Sequence, residues 1–237
     1  MEKARRDIRA LSLDELRHFF TSHSAPAFKG NQVYEWLWSK GTLDFLGMTN
    51  LSKSHRSLLE EYFVINHIKS DQLQRSDDGT IKNTIRLHDG YLVESVLIPT
   101  DTRSTACVSS QVGCSLDCHF CATAKLKRMR NLNPDEIYDQ VVEIDKQSQL
   151  YYNRPLTNIV FMGMGEPLMN YKNTLAAIDK ITSPHGLGMS PKRITVSTSG
   201  ITKIIREISA QNPKFKLAVS LHLSLIHISE PTRLSWI

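Results

Sequence analysis

The sequence predicts an α/β protein in which a small, mainly helical N-terminal domain precedes a series of β–α units. Two observations lead to this prediction. Apolar residues recur at helical spacing through much of residues 1–90, and short apolar strands alternate with helices from Thr105 onwards. Repeated β–α units favour a parallel sheet or barrel, whose sites lie at the carboxyl ends of the strands.

Helix signals come first along the chain. Ser12 and Glu15 fit a capping box, so a first helix is expected to begin there. A second helix is predicted over residues 31–40, with Gly41 in the position of a C-cap glycine. A third is expected after Ser52. The apolar stripes of these helices predict a compact core.

The period then changes from helical to alternating. Residues 84–87 and 91–97 alternate around the turn-forming triplet His88-Asp89-Gly90, which predicts a β-hairpin. We therefore divide the chain into an N-terminal accessory domain of residues 1–90, which includes the start of the hairpin, and a core of residues 91–222. Residues 223–237 show neither a helical period nor a helix cap, and we expect this tail to be foreign to the fold.

The predicted core alternates four strands with three helices. Asn133 and Pro134 suit the N-cap and the first position of the first core helix. The strands are predicted over residues 106–109, 158–161, 193–197 and 215–221, and the helices over residues 134–150, 172–181 and 201–209.

Composition excludes several classes of protein. Hydrophobic residues make up 41% and charged residues 22% of the chain, which is typical of a globular protein rather than a disordered one. No apolar run approaches the roughly 18 residues of a membrane helix, and the charged N-terminus does not suit a signal peptide. A cytoplasmic protein is therefore expected. The net charge of +5 only weakly favours a nucleic-acid partner.

The cysteines are far more informative. All four lie between Cys107 and Cys121, and such clustering indicates metal or redox chemistry rather than a disulfide framework. Cys114, Cys118 and Cys121 have the spacing C-x3-C-x2-C, so they can hold three irons of a 4Fe–4S cluster and leave the fourth open to S-adenosylmethionine (SAM). The alternative is a zinc site that uses all four cysteines, although zinc ligands usually come as separated pairs.

Three stretches together resemble the RlmN-type radical SAM methyltransferases. They are CVSSQVGC at residues 107–114, the three-cysteine loop, and FMGMGEP at residues 161–167. The resemblance extends from Ile8 to about His222. It implies a partial radical SAM β/α barrel, a 4Fe–4S cluster and SAM as cofactors, and methylation of carbon 2 of an adenine in 23S ribosomal RNA and in tRNA. An electron donor such as flavodoxin is also implied, and we expect a monomer without membrane contact.

The resemblance also implies roles for individual residues. In this family a cysteine near the C-terminus carries the methyl group, a second cysteine releases the product by forming a disulfide, and a base removes the carbon-2 proton. Cys107 resembles the releasing cysteine and Glu94 the base. The positions that resemble SAM contacts are Gly165, Glu166, Ser197, Ser220, Leu221 and His222.

The sequence also departs from the family. No cysteine follows Cys121, so we expect this chain to be unable to methylate as it stands. Ala124 stands where the family usually has glycine.

Two alternative functions remain: a Cfr-type enzyme, which methylates carbon 8 of the same adenine, and a non-catalytic, zinc-stabilised RNA-binding module. For the N-terminal domain we expect phosphate contacts from basic residues, namely Lys3, Arg5, Arg6, Arg9 and Arg17.

Overall fold

The computed structural model describes residues 5–116, 118 and 121–220. They form two compact units, the first made of residues 5–67 with 179–189 and the second of residues 68–178 with 190–220. Among the described helices, none is both long and apolar enough to span a membrane. Some predicted features lie outside the described residues, namely Lys3, Leu221, His222 and the tail of residues 223–237.

Three helices are the main secondary structure of the first unit, as predicted. Its elements are α1 (Leu13–Ser22), α2 (Phe28–Trp38), α3 (Lys53–Tyr62) and the short parallel strands β1 (Arg6–Asp7) and β2 (Phe63–Val64). The predicted capping box is present, since the Ser12 N–H donates to Glu15 Oε2 (2.7 Å) and the Glu15 N–H donates to Ser12 Oγ (3.2 Å). Leu16 and Phe20 on α1 are fully buried and belong to the core.

Arg9 was predicted to contact RNA phosphates, but its side chain is buried. Its side chain is only 3% exposed and lies beside the Asp7 carboxylate. Its guanidinium donates to the carbonyl oxygen of Asn66. A buried guanidinium that is bonded within the protein cannot reach a phosphate, so the prediction for Arg9 is wrong.

A mixed seven-stranded sheet forms the second unit. The strands of this unit are β3 (Lys69–Arg75), β4 (Ile81–Arg86), β5 (Leu92–Pro99), β6 (Ser104–Cys107), β7 (Gln111–Val112), β8 (Arg130–Asn131), β9 (Asn158–Phe161), β10 (Ile194–Thr198) and β11 (Lys216–Val219). The sheet order is β11-β10-β9-β6-β5-β4-β3, while β7 and β8 form a separate antiparallel pair. From β6 to β11 the neighbours are parallel, and from β3 to β6 they are antiparallel. The predicted α/β class and partial barrel are thus confirmed.

Helices connect the parallel strands in the predicted order. They are α4 (Pro134–Tyr152) after β6, α5 (Tyr171–Thr182) after β9 and α6 (Thr202–Ala210) after β10. A buried amide pair fixes α4 to the sheet, because Asn83 and Gln147 donate to each other at 2.9 and 2.8 Å. This connectivity brings the carboxyl ends of β6, β9, β10 and β11 to one edge of the sheet.

The predicted hairpin is formed by β4 and β5, with Thr84 opposite Glu94 and Gly90 at a φ of 87° in the turn. The boundary between the two compact units, however, follows residue 67 and does not lie near residue 90. The reason is that β3, β4 and β5 hydrogen-bond through β6 to the parallel strands, so the hairpin belongs to the sheet.

Candidate functional site

A cavity of about 240 Å³ lies where the parallel strands of the second unit end. Polar residues that follow β6, β9, β10 and β11 all reach it, as expected for a sheet of β–α units. Seven of the predicted site residues line it: Cys114, Cys118, Cys121, Gly165, Glu166, Ser197 and Ser220. Residues that are distant in the sequence therefore meet in one site.

The three loop cysteines are each half-buried at this cavity. The Leu116 N–H points at Cys114 Sγ (3.4 Å), and the Cys121 N–H donates to the Cys118 carbonyl oxygen (2.9 Å). An N–H group directed at a thiolate stabilises its negative charge, and such bonds also tune the potential of an iron–sulfur cluster.

This cysteine arrangement fits a 4Fe–4S cluster better than a single zinc ion. Within residues 5–116, 118 and 121–220, no three His, Cys, Asp or Glu side chains converge as ligands of one metal ion would. A 4Fe–4S cluster is larger than one ion and binds each thiolate through a different iron, and three cysteines of one loop line this cavity. Cys107 does not line the cavity, so the four-cysteine zinc site does not fit.

Glu166 places a buried carboxylate at the cavity, since the residue is only 5% exposed. Its Oε1 accepts from the Leu168 N–H (2.9 Å) and its Oε2 from the Ser199 N–H (2.8 Å). In the part of the chain that the structure describes, no cation pairs with this carboxylate. A carboxylate has about four lone-pair sites, so Glu166 retains capacity for a cationic ligand such as the SAM ammonium group.

Gly165 is required because its backbone has a positive φ and because it lies too close to Gln111 for any side chain. Its φ is 92°, and a Cβ built there would lie 2.5 Å from the Cβ of Gln111. The Gln111 Oε1 also accepts from the Glu166 N–H at 2.9 Å. The glycine thus lets the segment after β9 pack against the segment after β6, which sets the position of Glu166.

Serine hydroxyls lie at the ends of two neighbouring strands. Ser197 and Ser220 are 3.4 Å apart between their Oγ atoms, and both line the cavity. Thr198, which the sequence did not single out, lines it too and is buried. Hydroxyls of this kind can donate to the polar groups of a bound ligand.

Glu94 and Cys107 lie outside the cavity lining but on one face of the sheet. Val96 is opposite Cys107 in the β5–β6 register, and Glu94 lies two residues from Val96, hence on the same face. The Ser109 Oγ donates to the Glu94 carbonyl oxygen (2.5 Å), so Glu94 lies near the carboxyl end of β6. Its carboxylate is 49% exposed and pairs with Lys82 Nζ at 3.1 Å.

The Cys107 thiol differs from an ordinary surface thiol. Burial raises its pKa, and a hydrogen bond with the Met162 backbone only partly opposes this effect. The thiol is therefore protonated at neutral pH. All four cysteines are free, so the disulfide that the resemblance implied is absent from this structure.

An ion-pair network that sequence reasoning missed holds the cysteine loop at its far end. Arg130 on β8 donates to both carboxylate oxygens of Glu136 (2.7 Å each) and to Asp89 Oδ2 (2.5 Å). Burial alone would raise the pKa of Asp89, but the hydrogen bond and charge of Arg130 outweigh it and lower that pKa. The network links the hairpin turn, β8 and the start of α4.

Known proteins resemble both the N-terminal part of the chain and the part that contains the cavity. Residues 6–65 match the family model of the ribosomal RNA large subunit methyltransferase N-terminal domain, and residues 108–231 match that of the radical SAM superfamily. A solved radical SAM methyltransferase from Sphaerobacter thermophilus superposes with a TM-score of 0.82 at 36% identity, over 92% of this chain and 64% of that one.

Two curated relatives are named as dual-specificity RNA methyltransferases. The probable dual-specificity RNA methyltransferase RlmN of Flavobacterium johnsoniae is 68% identical over 95% of this chain and 64% of the relative. The dual-specificity RNA methyltransferase RlmN of Geotalea uraniireducens is 42% identical over 94% of this chain and 62% of the relative. The chain thus spans somewhat less than two thirds of the length of these relatives.

Proposed function

Because this chain belongs to the radical SAM superfamily, we propose that it serves RNA methylation at carbon 2 of an adenine, in 23S ribosomal RNA and in tRNA. The observation that carries the proposal is the cavity, which combines three cysteines with the buried carboxylate of Glu166. Among the described residues, this carboxylate has no cationic partner. A 4Fe–4S cluster and SAM are the cofactors that radical SAM proteins use. When bound, they supply the radical chemistry that an electron-poor ring carbon requires.

The chain's own residues divide this work. Cys114, Cys118 and Cys121 hold the cluster, Glu166 accepts from the SAM ammonium group, and the strand-end hydroxyls orient the rest of SAM. Glu94 is the proposed base for the carbon-2 proton, which requires the base to come within hydrogen-bond reach of it. Its exposed carboxylate on the face shared with Cys107 supports that role.

Cys107 is proposed to release the product by attacking the sulfur through which a second cysteine is bonded to the methylene group on the RNA. A disulfide forms, the carbon–sulfur bond breaks, and its electron pair stays with the carbon side, which takes up a proton. The raised pKa of Cys107 means that the thiol must lose a proton at that step, because only a thiolate attacks sulfur.

RNA contact is proposed for the first unit, through phosphates rather than bases. Arg6 supports this role, since its side chain is 57% exposed and its nearest carboxylate, on Glu15, is 4.0 Å away. Arg17 is already bonded to Asn31 and Asp14, at 2.7 and 3.0 Å, so it contributes less. We further propose that the protein acts as a cytoplasmic monomer and receives electrons from a carrier such as flavodoxin.

A chimaera tests the proposed function. Residues 5–220 of this chain replace the matching segment of the Flavobacterium johnsoniae relative, in a host that lacks its own enzyme, and nucleosides are measured by mass spectrometry. We expect 2-methyladenosine in ribosomal RNA and tRNA, and none from the matched Cys118→Ala chimaera. Appearance of 8-methyladenosine instead would support the Cfr-type alternative. A soluble, iron-loaded chimaera that forms neither product would contradict the proposal.

A further inference from the structure

Five consecutive residues just after the third loop cysteine, Lys125 to Met129, are all exposed. Two of them are large and apolar, with Leu126 51% and Met129 52% exposed. The other three are Lys125, Lys127 and Arg128. We call these five residues the basic–apolar strip.

The strip carries positive charge that the protein leaves unbalanced. The sequence has no acidic residue between Asp117 and Asp135. Arg130, the next cation, is neutralised by Asp89 and Glu136. Among the described residues, neither lysine of the strip has a carboxylate partner, and Arg128 makes only a long hydrogen bond to Asn131 Oδ1 (3.4 Å).

Backbone hydrogen bonds fix the strip against the cysteine loop. The Cys114 N–H donates to the Leu126 carbonyl oxygen (3.2 Å), and the Met129 N–H donates to the Val112 carbonyl oxygen (2.9 Å). A Cβ built on Gly113 would lie 2.3 Å from the Lys127 carbonyl oxygen, so only glycine permits this approach. The strip is therefore one backbone hydrogen bond away from a proposed cluster ligand, while none of its residues lines the cavity.

We propose that the basic–apolar strip is the docking surface for a small acidic electron-carrier protein. The inference rests on the proposed cluster. One electron leaves the reduced carrier, which is oxidised by one electron, and enters the oxidised cluster, which is reduced by one. Because electron transfer weakens steeply with distance, the carrier must dock close to a cluster ligand, and the strip lies there.

The chemistry of the strip favours a protein over RNA. Cations steer an acidic partner into an encounter complex and set its orientation. Exposed Leu126 and Met129 provide the apolar contact typical of the centre of a protein interface, whereas phosphate contacts need no apolar side chains. A surface of five residues also suits the small, transient interfaces of electron-transfer complexes.

A charge-reversal experiment tests the docking surface. Lys125→Glu, Lys127→Glu and Arg128→Glu are combined in the full chain, and the matched control combines Lys69→Glu, Lys203→Glu and Lys214→Glu, which are exposed elsewhere. The cluster is reconstituted without oxygen, and its reduction is followed by the loss of visible absorbance. Photoreduced flavodoxin, an acidic flavoprotein, is one reductant, and dithionite, which needs no docking, is the other.

We expect reduction by flavodoxin to slow about tenfold or more in the strip variant, while the control stays within about twofold. Reduction by dithionite should not change. An unchanged flavodoxin rate in the strip variant would overturn the proposal. So would loss of RNA affinity with normal reduction, which would make the strip an RNA contact.

A second measurement needs no variant. Carbodiimide cross-linking joins lysines of the unmodified chain to flavodoxin carboxylates, and mass spectrometry locates the joined residues. Cross-links at Lys125 or Lys127 support the docking surface, and cross-links confined to other lysines refute it. Iron and sulfide are measured first: a chain that binds no iron would sink the proposed function as well, whereas a loaded chain that fails these tests sinks only the docking surface.

Discussion

The wall of the cavity and the cysteine loop beside it are stabilised in different ways. The wall consists of residues 108–113, 162–170 and 197–199. Six of its polar side chains are buried and hydrogen-bonded within the chain, namely those of Ser109, Ser110, Gln111, Glu166, Asn170 and Thr198. Asn170 is typical, because its Nδ2 donates to the carbonyl oxygens of Ser110 and Leu132 (2.8 Å each). In the described part of the cysteine loop and of the basic–apolar strip that follows it, residues 114–129, no residue is fully buried.

This difference indicates that the chain alone fixes the wall, whereas the cysteine loop depends on a bound ligand for its structure. The wall has its shape without a cofactor, because each buried polar group has a partner in the chain. The loop has half-buried thiols and few side-chain bonds, so its structure depends more on what the thiols bind.

Removing a loop cysteine should have the largest effect. Cys114→Ala, Cys118→Ala and Cys121→Ala should each lose nearly all iron and sulfide, because each removes one of three protein ligands. Cys107→Ala is the control and should retain both, since Cys107 does not line the cavity. Metal analysis and visible absorbance after anaerobic reconstitution provide the measurement. Loss of iron from the Cys107 variant would show that the ligand assignment is wrong.

Glu166→Gln should weaken SAM binding by about 10- to 100-fold, the effect of losing a hydrogen bond to a charged group. Equilibrium dialysis with labelled SAM measures it. The matched control is Glu94→Gln, which removes an exposed carboxylate outside the cavity and should leave SAM affinity unchanged. Equal affinities for both variants and the unmodified chain would remove Glu166 from the SAM site.

Gly165→Ala should lower the stability of the wall. Gly90→Ala is its control, because the two glycines have φ values of 92° and 87° but only the Gly165 position would bring a Cβ close to other atoms. Both variants strain the backbone, so the difference between them isolates the close approach to Gln111. We expect Gly165→Ala to be about 1–3 kcal/mol less stable than Gly90→Ala, measured by urea unfolding. Equal stabilities would mean that the wall can relax around the added carbon.

The smallest effect concerns Asp89, at the end of the network that holds the cysteine loop. Its pKa is lower in the folded protein than in the unfolded chain. The carboxylate therefore stabilises the fold above about pH 4, its unfolded value, and the contribution is lost as pH falls through the lower folded value. Asp89→Asn should flatten the fall in thermal midpoint between about pH 5 and pH 3. An unchanged pH profile would show that the Arg130 pair contributes nothing measurable.

Sequence patterns predicted the regular elements well where local signals were strong. The helix at Pro134 and the strand at residues 158–161 lie where they were expected, since capping residues and apolar runs act locally. Strand β3 was missed because all seven of its residues are exposed and it shows no alternation. Its identity comes from pairing with β4, which the local sequence does not encode.

The site was predicted less completely than the fold. The cysteine spacing and the glycine-rich segment singled out residues that line one cavity, because the residues of each motif are close in sequence. Gln111 and Arg130 were missed, since their roles depend on partners 55 and 41 residues away. Only the folded chain shows that Gly165 is needed for contact with Gln111 and that Arg9 is buried.

The strand-end cavity is proposed to bind a 4Fe–4S cluster together with SAM, and this claim underlies the roles of all the site residues. The most direct test is electron–nuclear double resonance of the reduced, reconstituted chain, mixed with SAM that carries ¹⁵N in its amino group. We predict a ¹⁵N coupling to the cluster spin, which Cys118→Ala abolishes and Cys107→Ala leaves intact. A chain that instead purifies colourless with zinc, or a loaded cluster whose spectrum shows no ¹⁵N coupling, would contradict the claim.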